Sequence, residues 1–171
     1  MLDTIRAAHQ KDPSLQGIFG YLSAVFYPGV QAIWMHKITS RLHRAGVPVA
    51  PVVLSQLARM LTGVEIHPGA RIGKGFFIDH GTGVVIGETA QIGDEVMLYH
   101  GVTLGGRGFW KDKKGARRHP SLRDGVVVGV GATILGPVEI GKNSRVGAGA
   151  IVLGDAAANS RIKPGTTWRG G

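Results

Sequence analysis

The sequence contains no cysteine, which excludes a disulfide framework and any thiolate metal site. It has no apolar run of the roughly 18 to 20 residues that a membrane span requires, and no N-terminal stretch joins a basic start and an apolar run to a small-residue cleavage site. A cytoplasmic protein without a membrane partner is therefore expected. Acidic residues are scarce, 11 against 20 Lys and Arg, giving a formal charge of +9. Such an excess favours an anionic partner, which could be nucleic acid, a membrane surface or a phosphorylated small molecule. Bulk charge does not choose among them, and the densest basic run, Lys111, Lys113, Lys114, Arg117 and Arg118, would by itself be an ordinary solvated loop.

What is abundant is glycine, 28 of 171 residues, against roughly 7% in an average protein. There is no Gly-X-Y period and no Ser/Gly linker to explain it. With 43% hydrophobic and 18% charged residues, the chain can bury a sizeable core and reads as one domain with a small appendage.

Residues 1–63 have a helical pattern. Asp12 followed by Pro13 reads as an N-cap with proline in the first turn, and Leu15, Ile18, Phe19, Leu22 and Phe26 recur at amphipathic spacing until Tyr27-Pro28-Gly29. A second run through Val30, Ile33, Trp34, Ile38 and Leu42 ends at Gly46-Val47-Pro48, and a third through Val53, Leu54, Leu57 and Leu61 stops at Thr62-Gly63. His36 and His43 lie on these helices and are assigned no chemistry.

From Val64 the period changes to six. Ile66, Ile72, Ile78, Val84, Ala90, Val96 and Val102 are followed, in the same register, by Leu122, Val128, Ile134, Ile140, Val146 and Val152. Neither the helical period of 3.6 nor the strand period of 2 accounts for this. A hexapeptide repeat marks a parallel β-helix in which three six-residue sides close one triangular coil. Glycines such as Gly73, Gly141 and Gly147 then fall at its corners. The step from Val102 to Leu122 exceeds one repeat by 14 residues, so a loop within 106–121 leaves the coil there. A long loop in a regular solenoid is more often functional than decorative. The expected organisation is a helical region at 1–63, a β-helix at 64–154 and a tail at 155–171.

Ile66-His67-Pro68-Gly69-Ala70, Ile78-Asp79-His80-Gly81-Thr82-Gly83, Val85-Ile86-Gly87-Glu88-Thr89, Val102-Thr103-Leu104-Gly105-Gly106 and Arg118-His119-Pro120 resemble, in order and spacing, the serine O-acetyltransferases that open cysteine biosynthesis. The resemblance covers about residues 12–153. It implies a left-handed β-helix, an exception to the usual crossover hand, and homotrimers or dimers of trimers with active sites between neighbouring prisms. It implies acetyl transfer from acetyl-CoA to the hydroxyl of L-serine. Such transfer needs a base for a hydroxyl that is a poor nucleophile while protonated, and a histidine suits neutral pH.

By resemblance His80 is that base, and Glu65 stands where the family usually has the aspartate that orients it. Asp12 and Asp79 are placed at the serine ammonium, and Arg118 with His119 at the serine carboxylate and the reacting hydroxyl. Gly105, Gly106 and Ala148 match positions along the acetyl-CoA groove, and Val130 occupies one where alanine is usual. The loop lysines could neutralise CoA phosphates, which would connect the net charge to the ligand. No metal and no nucleic acid are implied. L-Cysteine is expected to compete with serine. Glu88 and Thr89 receive only a supporting role, and His67 and His100 a packing one. The segment after Leu153 lacks the Gly-x-Pro-Ala stretch and terminal isoleucine of the family, so the resemblance does not extend to association with cysteine synthase.

Other readings of the same residues stay open. A hexapeptide acetyltransferase for a sugar or antibiotic hydroxyl would share the prism and the base but not the need for Asp79 and Arg118. A zinc carbonic anhydrase would need His80, His100 and His119 on one metal. A scaffold without catalysis would need none of them.

Overall fold

The computed structural model describes residues 2–15, 17–108 and 115–170, so Lys111, Lys113 and Lys114 lie outside the described residues. Four helices come first: α1 Leu2–Lys11, α2 Gly17–Ala24, α3 Pro28–Arg44 and α4 Ala50–Thr62. The expected helix starting at Asp12 is corrected. The chain is already helical from Leu2, and Asp12 sits in the break between α1 and α2, where its carboxylate accepts the Ser14 N–H at 2.8 Å. Pro13 enforces the break, since proline disfavours helical backbone in the residue before it.

The periodic run from Leu15 does not face inward either. Leu15 is 3% exposed, but Ile18, Phe19, Leu22 and Phe26 are 60 to 80% exposed. The buried face of α2 is the small one, Gly20 and Ala24: Ala24 packs beside Phe77 and Met97, and a Cβ on Gly20 would lie 2.5 Å from the carbonyl carbon of Leu15, where the chain enters the helix. The spans of the other two helices follow the sequence reading, but α4 buries Pro51, Ser55, Ala58 and Thr62 and leaves Val53, Leu57 and Leu61 46 to 80% exposed. Pro28 stands in the first turn of α3, and α4 ends on Gly63 in the left-handed conformation, the common C-terminal cap.

Among the described residues fifteen short strands then wind into a parallel β-helix. Face A stacks β1 (Glu65–Ile66), β4 (Val85–Ile86), β7 (Thr103–Gly105), β10 (Thr133–Leu135), β13 (Ile151–Val152) and β15 (Thr167–Trp168). Face B stacks β2 (Arg71–Ile72), β5 (Gln91–Ile92), β8 (Ser121–Leu122) and β11 (Glu139–Ile140). Face C stacks β3 (Phe77–Ile78), β6 (Met97–Leu98), β9 (Val127–Val128), β12 (Arg145–Val146) and β14 (Arg161–Ile162). The second residue of each strand points into the prism, so Ile66, Ile86, Leu104, Ile134 and Val152 form one aliphatic column. Helices α1 and α2 and the start of α3 cover face C, where Ala7, Ala8, Leu15, Ala24 and Val30 pack on Phe77 and Met97, while Ala32 and Ile33 of α3 join Val64 and Ile66 in the core of the first coil.

The repeat is real, but its register differs from the expected one. Ile66 pairs with Ile86, twenty residues on, where a regular coil needs eighteen. Leu104 pairs with Ile134, thirty residues on. The first coil therefore carries two extra residues, in the corner at 79–84, and the coil with the loop carries twelve, not fourteen. The apparent continuity through Val84, Ala90, Val96 and Val102 has a physical cause. Each coil side buries a second residue at its corner, and these four are 0% exposed although they are not the strand positions. After Ile78 a period of six slips from the strand class to the corner class unnoticed.

The tail is also corrected. β14 and β15 and a bridge between Ile140 and Ala156 continue the prism, so 155–168 complete a last coil, shortened by two residues at the corner after Val152.

Candidate active site

The segment between β3 and β4 turns the edge from face C to face A. His80 adopts φ 60 there, followed by Gly81 at φ 84 and Gly83 at φ 76. Left-handed backbone is natural for glycine but costs a residue with a Cβ about 1–2 kcal/mol, and such strain gathers at functional sites. Neighbouring elements hold the corner. A Cβ on Gly29 of α3 would lie 2.2 Å from the Ile78 carbonyl oxygen, so only glycine lets the helix seat against it.

The His80 side chain is 72% exposed, its Nε2 lies 3.9 Å from Asp79 Oδ1, and its ring meets that of His100 edge-on at 5.6 Å. Asp12 belongs to the same group. Burial pushes its carboxyl up, but hydrogen bonds from Ser14 and Tyr27 and the nearby His80 outweigh this and hold it below the usual carboxylate range. Glu65 opens β1 on face A, and its Oε2 pairs with Arg59 Nη1 at 3.2 Å. The carboxylate beside the imidazole is thus that of Asp79.

A second group occupies the opposite edge, where face A turns to face B. Arg118 Nη2 donates to Glu88 Oε2 at 2.6 Å. His119, 8% exposed, accepts the backbone N–H of Thr89 at Nδ1, 3.1 Å, with the Thr89 hydroxyl 2.9 Å from the same atom. That hydroxyl in turn accepts the backbone N–H groups of Arg118 and His119 at 2.9 and 3.1 Å. The ring lies flat on Gly87, where a Cβ would stand 2.2 Å from Nε2. A cavity of about 290 Å³ opens here, lined by His43, Gly69, Arg71, Glu88, Thr89 and Arg117 among others.

The residues expected at the acetyl-CoA groove divide in the same way. Val130 and Ala148 continue down the edge that carries His80, through Gly131 N–H to His100 O, Gly149 N–H to Val130 O and Gly165 N–H to Ala148 O. Gly105 ends β7 on the other edge, one coil beyond Gly87, whose N–H donates to the Leu104 carbonyl; Gly106 follows it. Within one chain His80, Asp79 and Asp12 therefore meet, as do Arg118 and His119, but the two sets stand apart across face A. From Gly83 to Gly87 alone the backbone runs four residues, about 13 Å at strand rise.

This geometry bears on the zinc alternative, since His119 is not on the edge shared by His80 and His100. Among the described residues no three His, Asp or Glu side chains are grouped to hold a metal, and no single helix is long and apolar enough to cross a membrane. Sequence reasoning gave Thr89 only a supporting role and Gly87 none, and named His119 as partner of neither. The usable signal was the coil offset: Gln91 pairs with Ser121, so Thr89 and His119, with the same separation, are coil neighbours.

Residues 119–154 match the family model described as bacterial transferase hexapeptide (six repeats). A serine acetyltransferase of Helicobacter pylori is 50% identical over 151 residues, 88% of this chain and 85% of that protein. Two further relatives of the same name are each 49% identical but longer, and the chain spans 62% and 64% of their length. A crystal structure of Neisseria gonorrhoeae serine acetyltransferase in complex with serine superposes with a TM-score of 0.82 at 37% identity, over 97% of this chain and 63% of that one. The Brucella abortus enzyme in complex with coenzyme A gives 0.85 at 35% identity, over 93% and 61%. With half of 151 aligned residues identical to a relative of which it spans 85%, and with the prism, the corner histidine and the Arg-His loop in place, the chain belongs to the serine acetyltransferase family.

Proposed function

We propose that the protein is a serine O-acetyltransferase acting on L-serine and acetyl-CoA in the cytoplasm, as a homotrimer of left-handed prisms. The observation that carries this reading is the division of the site over the two edges of face A. Each edge holds half of what acyl transfer to serine needs. In a three-fold ring, one chain's His80 edge faces the next chain's His119 edge, and a groove between prisms then contains base, anchors and donors.

In that groove Asp79 and Asp12 hold the serine ammonium, and the Arg118 guanidinium holds the carboxylate with two donors. His80 accepts the hydroxyl proton as the oxygen attacks the thioester carbonyl. The tetrahedral intermediate then expels the CoA sulfur, which takes up the proton from His80, so O-acetylserine and CoA leave with the base restored. Asp79, 3.9 Å from Nε2, stabilises the imidazolium in transit. For Glu65 to take part it must exchange Arg59 for the imidazole, and we assign it the lesser role of setting the charge at the edge. Gly105, Gly106, Val130 and Ala148 line the path of the pantetheine arm, where small residues let a ligand approach the backbone.

Release of CoA thiol from acetyl-CoA in the presence of L-serine tests the reading. His80→Ala should lower the rate about 100-fold or more, the scale of losing a general base. Undiminished turnover by that variant, or acetylation of a galactoside or antibiotic with serine left untouched, would refute it.

A further inference from the structure

We infer that Thr89 is a positioning residue that fixes His119 with its hydrogen on Nε2, making His119 a hydrogen-bond donor to the thioester carbonyl oxygen as that oxygen becomes negative. The inference rests on the acetyl-transfer reading above, but its structural part does not need it. A backbone N–H can only donate, so the contact from Thr89 N to His119 Nδ1 at 3.1 Å requires a bare Nδ1. The Thr89 hydroxyl already accepts two backbone N–H groups, those of Arg118 and His119, and its own hydrogen is free to point to the same Nδ1, 2.9 Å away. Two donors converge on one imidazole nitrogen, and a neutral ring then carries its hydrogen on the other.

Gly87 fixes the ring's place as Thr89 fixes its tautomer. A Cβ there would stand 2.1 Å from Cδ2 and 2.2 Å from Nε2 of His119, closer than any tolerated contact. With 8% of His119 exposed, the ring has little room to turn. A histidine so held cannot accept the serine proton at Nε2, which leaves the base role to the exposed His80. What it supplies is a preorganised donor, and removing one such donor from a developing oxyanion typically costs 100- to 1,000-fold in kcat.

The test is made on the full chain with ring-15N histidine, reading the His119 tautomer by NMR, and on steady-state kinetics of four variants. The expected spectrum shows protonated Nε2 and bare Nδ1. Thr89→Val should release the tautomer and lower kcat about tenfold or more while the KM for serine moves less than about threefold, and Thr89→Ser should restore most of the loss. His119→Gln, which keeps an amide donor, should retain at least tenfold more kcat than His119→Ala. Protonated Nδ1 in the wild type, Thr89→Val with unchanged tautomer and kcat, or Gln no better than Ala would overturn the assignment. If Thr89→Val fails to fold, the wild-type spectrum and the His119 pair still decide. Wild type without serine acetylation would sink the reaction reading alone, since the ring spectrum answers for Thr89 independently.

Discussion

Mixing two inactive chains should restore a defined fraction of activity. His80→Ala spoils one edge of face A and leaves the Arg118-His119 edge intact; His119→Ala does the reverse. In a cyclic trimer each site joins one chain's His80 edge to the next chain's His119 edge, a heterologous contact that closes on itself. A mixed trimer, whichever chain is in excess, contains a single junction at which a chain with His80 is followed by a chain with His119. One site in three is then whole. Random assembly from equal amounts makes about three quarters of trimers mixed, so about one quarter of all sites should work.

The assay is CoA thiol release from chains co-expressed in equal amounts and purified through one tag common to both, compared with each variant purified alone. About 25% of wild-type turnover is expected, against 1% or less for a parent lacking its base. If both histidines served one site within a single chain, every site in the mixture would lack one of them. A mixture no more active than the average of its parents would therefore refute the shared-site geometry.

Gly29→Ala should destabilise the fold without touching the chemistry directly, because its Cβ would meet backbone, the Ile78 carbonyl oxygen at 2.2 Å. An overpacking cost of about 1–3 kcal/mol should lower Tm by roughly 2–4 °C per kcal/mol, read by calorimetry; an unchanged Tm would count against the close helix seating. His36 is 6% exposed, and burial pushes its pKa down to about 4. Its folded value lies below the unfolded one of about 6.5. The unfolded chain therefore binds the proton first as pH falls, and stability present above pH 6.5 declines toward pH 4 by up to about 1.4 kcal/mol per unit. Denaturant midpoints should show that slope, and His36→Gln should flatten it. L-Cysteine carries the same ammonium and carboxylate as serine and should bind the same anchors. Calorimetric cysteine binding that survives Arg118→Ala and Asp79→Asn together would rule this out.

Much of the fold is written in the period of six, because a side of the prism cannot close without an aliphatic residue facing inward at each repeat. The period is less informative about register. Val84, Ala90, Val96 and Val102 are as buried as Ile86, Ile92, Leu98 and Leu104, so hydrophobicity cannot tell corner from strand, and the two extra residues at 79–84 were absorbed into the loop. The same ambiguity hid the partner of Thr89. With a loop of fourteen its coil neighbour would be Ser121; with twelve it is His119. Residues 155–168 read as a tail because they lack the stretch that the resemblance leads one to expect, and the repeat gives little sign of them, since their coil is two residues short and buries Ala156 where a larger aliphatic is usual. Helix α2 failed for another reason: its apolar spacing is regular, but Gly20 and Ala24 allow a closer approach than its large side chains do.

The two insertions that break the repeat are where the chemistry sits. A regular coil offers flat faces on which each side chain stacks on its equivalent one coil away, and several of its corners already carry left-handed backbone, as at Gly75, Glu95, Gly125 and Asn143. Two extra residues in the corner at 79–84 leave the Asp79 N–H on the Leu98 carbonyl and carry His80 beyond it, its side chain 72% exposed and its backbone left-handed. Twelve extra residues before Ser121 let Arg118 and His119 fold back over Gly87 and Thr89. The insertions flank β4 at its two ends, one leading into face A and the other folding over the edge at which it leaves. A solenoid made of interchangeable coils thus acquires two chemically distinct edges on one face. Edges that differ in this way, and lie too far apart to cooperate within one prism, are suited to a ring in which each meets its complement on the next chain.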